Sequence, residues 1–227
     1  MRALAVSILA LAAIPARADA APRFAAGTAP ADVTICLQPL GKLDAAITAT
    51  VGRGVTQAFG MTTRILPSRA LPRAAYHAPR KRYRADRVLD HLIADVVPDS
   101  GCAVVLAVTA SDISVPKDQH ADWGILGLAY LDSQVAVIST YRARRGVARR
   151  RMLERTVKVA THELGHAFGL DHDDSIAGCM MNDAGGTVRT IDRESGAPCA
   201  HERTAIEANL GVTLPARDAL DWSLVLP

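Results

Sequence analysis

Apolar residues follow two patterns in the first half of the chain. Val33 to Leu37 is a first strand candidate, and Ala103 to Thr109 is a nearly continuous apolar run, as expected of a buried parallel strand. In Leu43 to Phe59 and Ala85 to Val97 the apolar residues instead recur with helical spacing. Thr62 to Leu66 is a further short β-like run, so the pattern predicts strands alternating with helices.

The second half adds a hairpin and the longest helical pattern. Ile125 to Leu131 and Gln134 to Ser139 are strand-like and are separated by a two-residue turn. Arg149 to Leu170 carries apolar residues along one side of a helix, and Glu202 to Leu210 is a short closing helix. This order predicts the α/β class, with a twisted, mostly parallel sheet to which the hairpin adds one antiparallel edge strand.

The first twenty residues have the pattern of a signal peptide. Arg2 precedes the apolar run Ala3 to Ile14, Pro15 ends the run, and small residues stand at positions 18 and 20. We therefore expect cleavage near Ala20 and a secreted or periplasmic protein. The run is shorter than the ~20 residues that a spanning helix needs, so no stable membrane insertion is expected.

The remaining residues fit a single domain. Residues 21–32 are rich in Ala, Pro and Gly and are expected to be a flexible leader. The predicted folded domain covers residues 33–211, and residues 212–227 are expected to be a C-terminal tail.

Charge and cysteine content narrow the partners and the compartment. The formal net charge of +3 and the scarcity of aromatic residues, at 4%, argue against a nucleic-acid surface. The four cysteines are an even number, which in an exported chain suggests two disulfides. Four cysteines allow three pairings, and composition does not choose among them.

The most informative segment runs from His162 to His172 and carries a metal-binding pattern. His162 and His166 are four residues apart on the predicted helix, so both imidazoles project from one face and can bind one zinc ion. Gly169 can end the helix with a positive φ, which lets the chain turn back and present His172 as a third ligand. Three protein ligands leave a fourth position open, as in a catalytic zinc site, and predict one zinc ion per chain.

Glu163 supplies the other part of the predicted chemistry. It leaves the helix beside the histidines and can act as general base on a water molecule at the zinc. The sequence thus predicts a hydrolase that cleaves peptide bonds in a peptide or protein. Two alternatives are a zinc-dependent aminopeptidase, for which no amine anchor is identified, and a zinc-stabilised binding protein without catalysis.

The extended motif resembles that of the metzincin clan and, more narrowly, the archaemetzincins. The segments 35–41, 105–112, 127–129 and 135–139 are similar to successive strands of that family. The resemblance implies a metzincin-like α+β fold, with a long active-site helix and a small C-terminal subdomain after the third histidine. Cys179-Met180-Met181 is similar to the family's Cys-x-Met segment, which implies that Met181 forms a hydrophobic floor under the zinc.

The chain departs from the family pattern at two cysteine positions. Archaemetzincins usually hold a second, structural zinc with four cysteines, but here Asp173 follows His172 and Glu202 ends the Cys-x-x-Cys. Because the resemblance implies that Cys179 and Cys199 lie close together, we expect them to form a disulfide. Neighbouring strands would allow the second pair, Cys36 with Cys102.

Six arginines stand between positions 142 and 151. They are interpreted either as a patch for an acidic partner or as an exposed face in solvent, and exposed faces are the commoner case. The sequence leaves this choice and the oligomeric state open.

Overall fold

The computed structural model describes residues 21–117, 119–185 and 187–227. The signal peptide expected over residues 1–20 lies outside the described residues. The elements in chain order are β1 (Thr34–Leu40), α1 (Ala45–Phe59), β2 (Thr62–Ile65), β3 (Tyr76–His77), β4 (Arg82–Arg84), α2 (Ala85–Asp95), α3 (Val97–Ser100), β5 (Val104–Thr109), β6 (Ile113–Lys117), β7 (His120–Ile125), β8 (Gly127–Ala129), β9 (Val135–Ser139), α4 (Thr140–Ala143), α5 (Arg149–Ala167), α6 (Val188–Arg193), α7 (Ala200–Leu210) and α8 (Trp222–Val225).

The main sheet has the strand order β2-β1-β5-β9-β8. Its first four strands are parallel, and β8 pairs antiparallel with β9 at the edge. Every residue of β5 and β9 is buried, which explains why their sequences are continuously apolar. The predicted fold class is confirmed.

Helices cover both faces of the main sheet. Alternate residues of β1 and β5, such as Leu37 and Leu106, pack with α1 and α5, whereas Cys36 and Val105 face α2. Phe59 at the end of α1 meets Phe168 edge-to-face, with ring centroids 5.2 Å apart. This contact joins α1 to the end of α5, where the predicted zinc ligands lie.

A second sheet, β3-β4-β6-β7, was not predicted. The stretch after Pro67 was expected to be a loop, and Ile125 to Leu131 was expected to be one strand. The structure divides that strand at Leu126, so that β7 belongs to the second sheet and β8 to the main sheet. The strands of the second sheet are short and carry many polar residues, so they lack the apolar pattern that marks a buried strand.

The segment 21–32, expected to be flexible, makes defined contacts. The backbone N–H groups of Arg23 and Phe24 donate to the carbonyls of Asn209 and Leu210, both at 3.0 Å. The Arg23 guanidinium also donates to the Ala167 carbonyl at the end of α5, at 2.9 Å. The two backbone hydrogen bonds and the Arg23 side chain hold the segment in place, although its content of Ala, Pro and Gly suggested a flexible leader.

The segment 212–227, expected to be a tail, is part of the core. Five of its apolar residues are buried, namely Val212, Leu214, Leu220, Val225 and Leu226. Arg53 on α1 donates to the Val225 carbonyl at 2.8 Å, and α8 packs against α1. The folded unit therefore continues past Gly211. No helix of the described part of the chain is long and apolar enough to cross a membrane.

Two leucines of the C-terminal segment test this conclusion. Leu220 is 5% exposed and Leu224 is 65% exposed. We expect Leu220→Ala to lower the free energy of unfolding by ~2–5 kcal/mol, because it leaves a cavity in the core. Leu224→Ala is the matched control and should change it by less than about 0.5 kcal/mol. Chemical denaturation measures both, and equal small effects would mean that the segment is a tail after all.

Candidate metal centre

The last turns of α5 place His162 and His166 on one side of the helix. Their ring centroids are 4.8 Å apart, and the ring of His172 lies 5.3 Å from His162 and 4.8 Å from His166. One ligand atom from each of the three side chains lies within 4.8 Å of the others. The structure thus brings together the three histidines that the sequence analysis selected.

Gly169 makes the return of the chain possible. α5 ends at Ala167, and Gly169 has a φ of +93°, a conformation that residues with a side chain rarely adopt. A Cβ at this position would also lie 2.8 Å from the Asn209 amide nitrogen. The Leu170 N–H donates back to the Gly165 carbonyl at 3.0 Å, and the chain then leaves the helix axis toward His172.

Two backbone carbonyls orient the helical histidines. His162 Nδ1 lies 2.8 Å from the Met180 carbonyl, and His166 Nδ1 lies 2.8 Å from the Leu170 carbonyl. A carbonyl only accepts, so each Nδ1 carries the proton and each Nε2 keeps a free lone pair. Burial lowers the pKa of His162 to about 3, with His166 as the next cause, and burial likewise lowers the pKa of His166. Neutral imidazoles with free Nε2 atoms fit the requirements of a zinc ion.

Glu163 lies beneath the edge strand of the main sheet. Its side chain is buried, and a Cβ on Gly127 of β8 would approach its Oε1 to 2.5 Å. Burial raises the pKa of Glu163 to about 8, and the charge of Glu194 acts in the same direction. A carboxyl group that titrates near neutral pH can both accept and return a proton.

The segment Cys179-Met180-Met181 packs against α5 below the histidines. Met180 and Met181 are both fully buried. Gly165 makes room for them, since a Cβ there would overlap the Met181 sulfur and lie 2.9 Å from the Met180 methyl group. Both methionines therefore pack against α5 at Gly165, between His162 and His166, and the floor under the zinc assigned to Met181 stays a prediction.

Glu202 is a residue of this site that the sequence analysis did not identify as functional. It is 2% exposed, and its carboxylate accepts hydrogen bonds from the N–H groups of Cys199 at 2.7 Å, Met181 at 2.7 Å and Met180 at 3.3 Å. The Met180 carbonyl in turn accepts from His162. Glu202 therefore fixes the peptide that orients a predicted ligand. The only signal in the sequence was that Glu202 replaces a cysteine of the family pattern.

The four cysteines form two disulfides. Cys179 is bonded to Cys199 and Cys36 to Cys102, with Cα–Cα distances of 5.5 and 5.8 Å, which is the expected pairing. Cys179, His201 and Glu202 also cluster closely enough to hold a metal. However, the Cys179 sulfur belongs to a disulfide, and His201 pairs with Asp173 at 3.0 Å.

The six arginines between positions 142 and 151 are mostly engaged with other parts of the protein. Their partners are Asp112 for Arg142, the Tyr141 ring for Arg144 and Arg145, Asp44 for Arg149, and Glu154 for Arg150 and Arg151. Four of the six are thus paired with carboxylates, whereas Arg144 and Arg145 contact an uncharged ring.

Comparisons with known proteins point to one family. The model of peptidase family M54 matches residues 60–207, which include every residue of the metal centre. The archaemetzincin of Haloarcula marismortui is 30% identical over 169 residues, covering 71% of this chain and 92% of that protein. Among solved structures, the archaemetzincin of Methanopyrus kandleri has a TM-score of 0.68 at 27% identity, covering 78% of this chain and 95% of that one. The archaemetzincin of Archaeoglobus fulgidus has a TM-score of 0.65 at 26% identity, covering 76% and 99%.

We predict that Glu202→Gln weakens zinc binding roughly tenfold, since outer partners of a metal ligand commonly matter to that extent. The amide NH₂ group cannot accept a hydrogen bond, so the peptide that holds His162 should shift. Glu207→Gln on the same helix is the control, because among the described residues the Glu207 carboxylate accepts from Leu214 N, at 2.8 Å, and not from the Met180–Met181 peptide that holds His162. Competition with a zinc chelator measures both affinities. Equal affinities in the two variants would contradict this role of Glu202.

Proposed function

Since this chain belongs to peptidase family M54, we propose that it hydrolyses peptide bonds with one zinc ion held by His162, His166 and His172 and with Glu163 as general base. Membership of the family makes the chain a zinc metallopeptidase, and peptides are its substrates. The observation that carries the proposal is the convergence of three imidazoles beside a buried carboxyl group.

The three histidines supply a neutral ligand set. The carbonyls of Met180 and Leu170 hold the rings of His162 and His166 with Nε2 facing away from their hydrogen bonds. A zinc ion bound in such a set polarises the peptide carbonyl and makes water a stronger acid. Asp171 and Asp173 are not proposed as ligands, because their carboxylates accept from the N–H groups of His172 and Ser175, both at 2.8 Å.

Glu163 moves the proton in this proposal. Its carboxylate takes a proton from the attacking water and then delivers it to the leaving amine. Burial against β8 excludes bulk solvent from the carboxyl group. It also raises the pKa of Glu163 to about 8, which is close to neutral pH. A carboxylate at this position has no use in a purely structural zinc site, which argues against the catalytically silent alternative.

The substrate is proposed to lie along β8. This strand is at the edge of the main sheet, and its Gly127 contacts Glu163. Backbone groups on the outer side of an edge strand can pair with an extended peptide, which would lay a peptide bond next to the base. This arrangement favours cleavage within a peptide. Cleavage of substrates with free but not acetylated N-termini would instead support the aminopeptidase alternative.

Export is also proposed. It rests on the signal-peptide pattern ending near Ala20 and on the two disulfides, which persist in oxidising compartments. We expect the protein expressed in full in a bacterial host to be recovered outside the cytoplasm, with Ala21 as its first residue. N-terminal sequencing of the fractionated protein checks this, and an intact Met1 in the cytoplasmic fraction would contradict it.

Two substitutions separate the general base from the ligands. We predict that Glu163→Gln keeps zinc but lowers peptide cleavage by about 100-fold or more, because it removes the base alone. His172→Ala should lose activity together with zinc, because it removes a ligand.

Elemental analysis beside an assay with a fluorogenic peptide library measures both quantities. The library should contain each peptide with a free and with an acetylated N-terminus, and a chelator supplies the control for metal dependence. Wild-type turnover in Glu163→Gln, or retention of zinc at wild-type affinity in His172→Ala, would overturn the assignment of that residue.

A further inference from the structure

A cavity of about 430 Å³ opens on the second sheet, and none of its lining residues belongs to the metal centre. Arg80, Arg82 and Arg142 line one side, and His120 and Trp123 of β7 also contribute to its wall. Neither the family pattern nor the proposed chemistry uses these residues.

The cavity carries an excess of positive charge. Arg82 contacts Asp112 at 2.8 Å and Asp122 at 2.9 Å, while Arg142 makes a two-pronged contact with Asp112 at 2.8 and 3.1 Å. Asp122 also faces Arg84 at 3.5 Å and Arg80 at 4.0 Å. Among the described residues, four guanidinium groups therefore share two carboxylates, which leaves these six groups with a formal charge of +2.

The two aspartates hold the arginines in place without saturating them. Asp112 and Asp122 have side chains only 7% and 9% exposed, so they form a fixed base beneath the guanidinium groups. Each guanidinium offers five N–H donors, whereas a carboxylate accepts about four hydrogen bonds. Donors therefore remain for a further anion, and an oriented guanidinium suits a carboxylate in particular.

Gly124 shows how closely Arg142 approaches the sheet. A Cβ at position 124 would overlap the Arg142 guanidinium, so the guanidinium occupies the space that a side chain would fill. Arg142 comes from α4, directly after β9, and crosses β7 to reach Asp112. The cavity is thus a built arrangement of three elements and not a chance meeting of exposed side chains.

The cavity lies along the same ribbon as the proposed cleft. Gly124 on β7 precedes Gly127 on β8 by three residues, and Gly127 contacts Glu163. Three residues span at most about 10 Å, and the chain bends at Leu126 between the two glycines, so the third residue after the scissile bond of a peptide paired with β8 can reach the cavity. Antiparallel pairing of strands is the commoner kind. Because β7 precedes β8 in the chain, the C-terminal half of a peptide that pairs antiparallel with β8 points toward β7.

We infer that this cavity is a substrate subsite for a carboxylate about three residues C-terminal to the scissile bond. This inference rests on the proposed peptidase function. The carboxylate can belong to an acidic side chain or to the C-terminus of the peptide, since both offer the same two oxygens to the guanidinium groups.

Matched peptides test the inference. A peptide that the wild-type enzyme cleaves is resynthesised with Glu or Gln at the third residue after the scissile bond and with an amidated C-terminus. A second pair ends at that residue with either a free or an amidated C-terminus. We expect the charged member of at least one pair to have a kcat/KM about tenfold higher, because charge-assisted hydrogen bonds are the stronger kind. The preference should shrink as salt is raised.

Variants test whether the preference for charged peptides arises at the cavity. Arg80 and Arg150 both have side chains 67% exposed and contact acidic side chains, but only Arg80 lines the cavity. We expect Arg80→Ala to lower the preference for the charged peptide about threefold and Arg142→Gln to abolish it, with Arg150→Ala as the unchanged control. Should Arg142→Gln fail to fold, Arg80→Ala still decides. Equal cleavage of charged and neutral peptides, or an equal loss in Arg150→Ala, would overturn the subsite.

A binding measurement separates this inference from the peptidase proposal. The chain has two tryptophans, so Trp222→Phe leaves Trp123 as the sole reporter at the cavity. In the Trp222→Phe, Glu163→Gln double variant we expect the charged peptides to change Trp123 fluorescence at about tenfold lower concentration than their neutral partners. If the wild-type enzyme cleaves no peptide of the library, the same difference between peptides that end with a free and with an amidated C-terminus would support a carboxylate site at the cavity and overturn the peptidase proposal. Identical titrations would overturn the subsite.

Discussion

The hydrogen bond between His162 Nδ1 and the Met180 carbonyl joins the two parts of the chain that form the metal centre. One part is the helix α5, which carries His162, Glu163 and His166 at fixed spacing. The other is the irregular segment after His172, which has little regular structure to hold it. An imidazole is a precise ligand only if its ring cannot rotate, so the geometry of the centre depends on how firmly Met180 is held.

Three different interactions hold that segment. The Glu202 carboxylate accepts from the N–H groups of Met180 and Met181, the Cys179–Cys199 disulfide ties the segment to the start of α7, and both methionines fill the space left by Gly165. In the archaemetzincin pattern the positions of Asp173 and Glu202 are cysteines. Here Asp173 pairs with His201, and the Glu202 carboxylate accepts from backbone N–H groups. The disulfide and these two carboxylates therefore connect the segment after His172 to α7, where the family pattern has four cysteines around a second zinc. These connections suit an oxidising compartment, where isolated thiols do not persist.

The sequence predicted the strands and helices whose apolar residues are continuous or periodic. It also predicted the part of the site whose ligands lie close together in the chain. β5 and β9 are buried throughout, α1 ends at Gly60 in a left-handed conformation, and His162 and His166 share one helix. The second sheet was missed because its strands lack alternating apolar residues. They are held partly by ion pairs between residues far apart in the chain, such as Arg82 with Asp112, which a sequence pattern does not reveal. The role of Glu202 was missed for a related reason. Its carboxylate binds main-chain N–H groups, and these leave no trace in the sequence of their own residues.

The ribbon formed by β7 and β8 relates the chemistry to substrate selection. Gly127 admits the Glu163 carboxyl group against the main sheet, and Gly124 admits the Arg142 guanidinium against the second sheet, three residues earlier. The break at Leu126 assigns these two positions to different sheets, while the Ser139 N–H bound to the Leu126 carbonyl at 2.8 Å anchors the junction. Because a single stretch of backbone, bent at Leu126, contacts both Glu163 and the arginine cluster, the separation between them is limited to the length of three residues. A peptide that pairs with β8 and reaches the cavity would meet both groups in one register, so the proposed preference at the cavity would also fix which peptide bond faces Glu163.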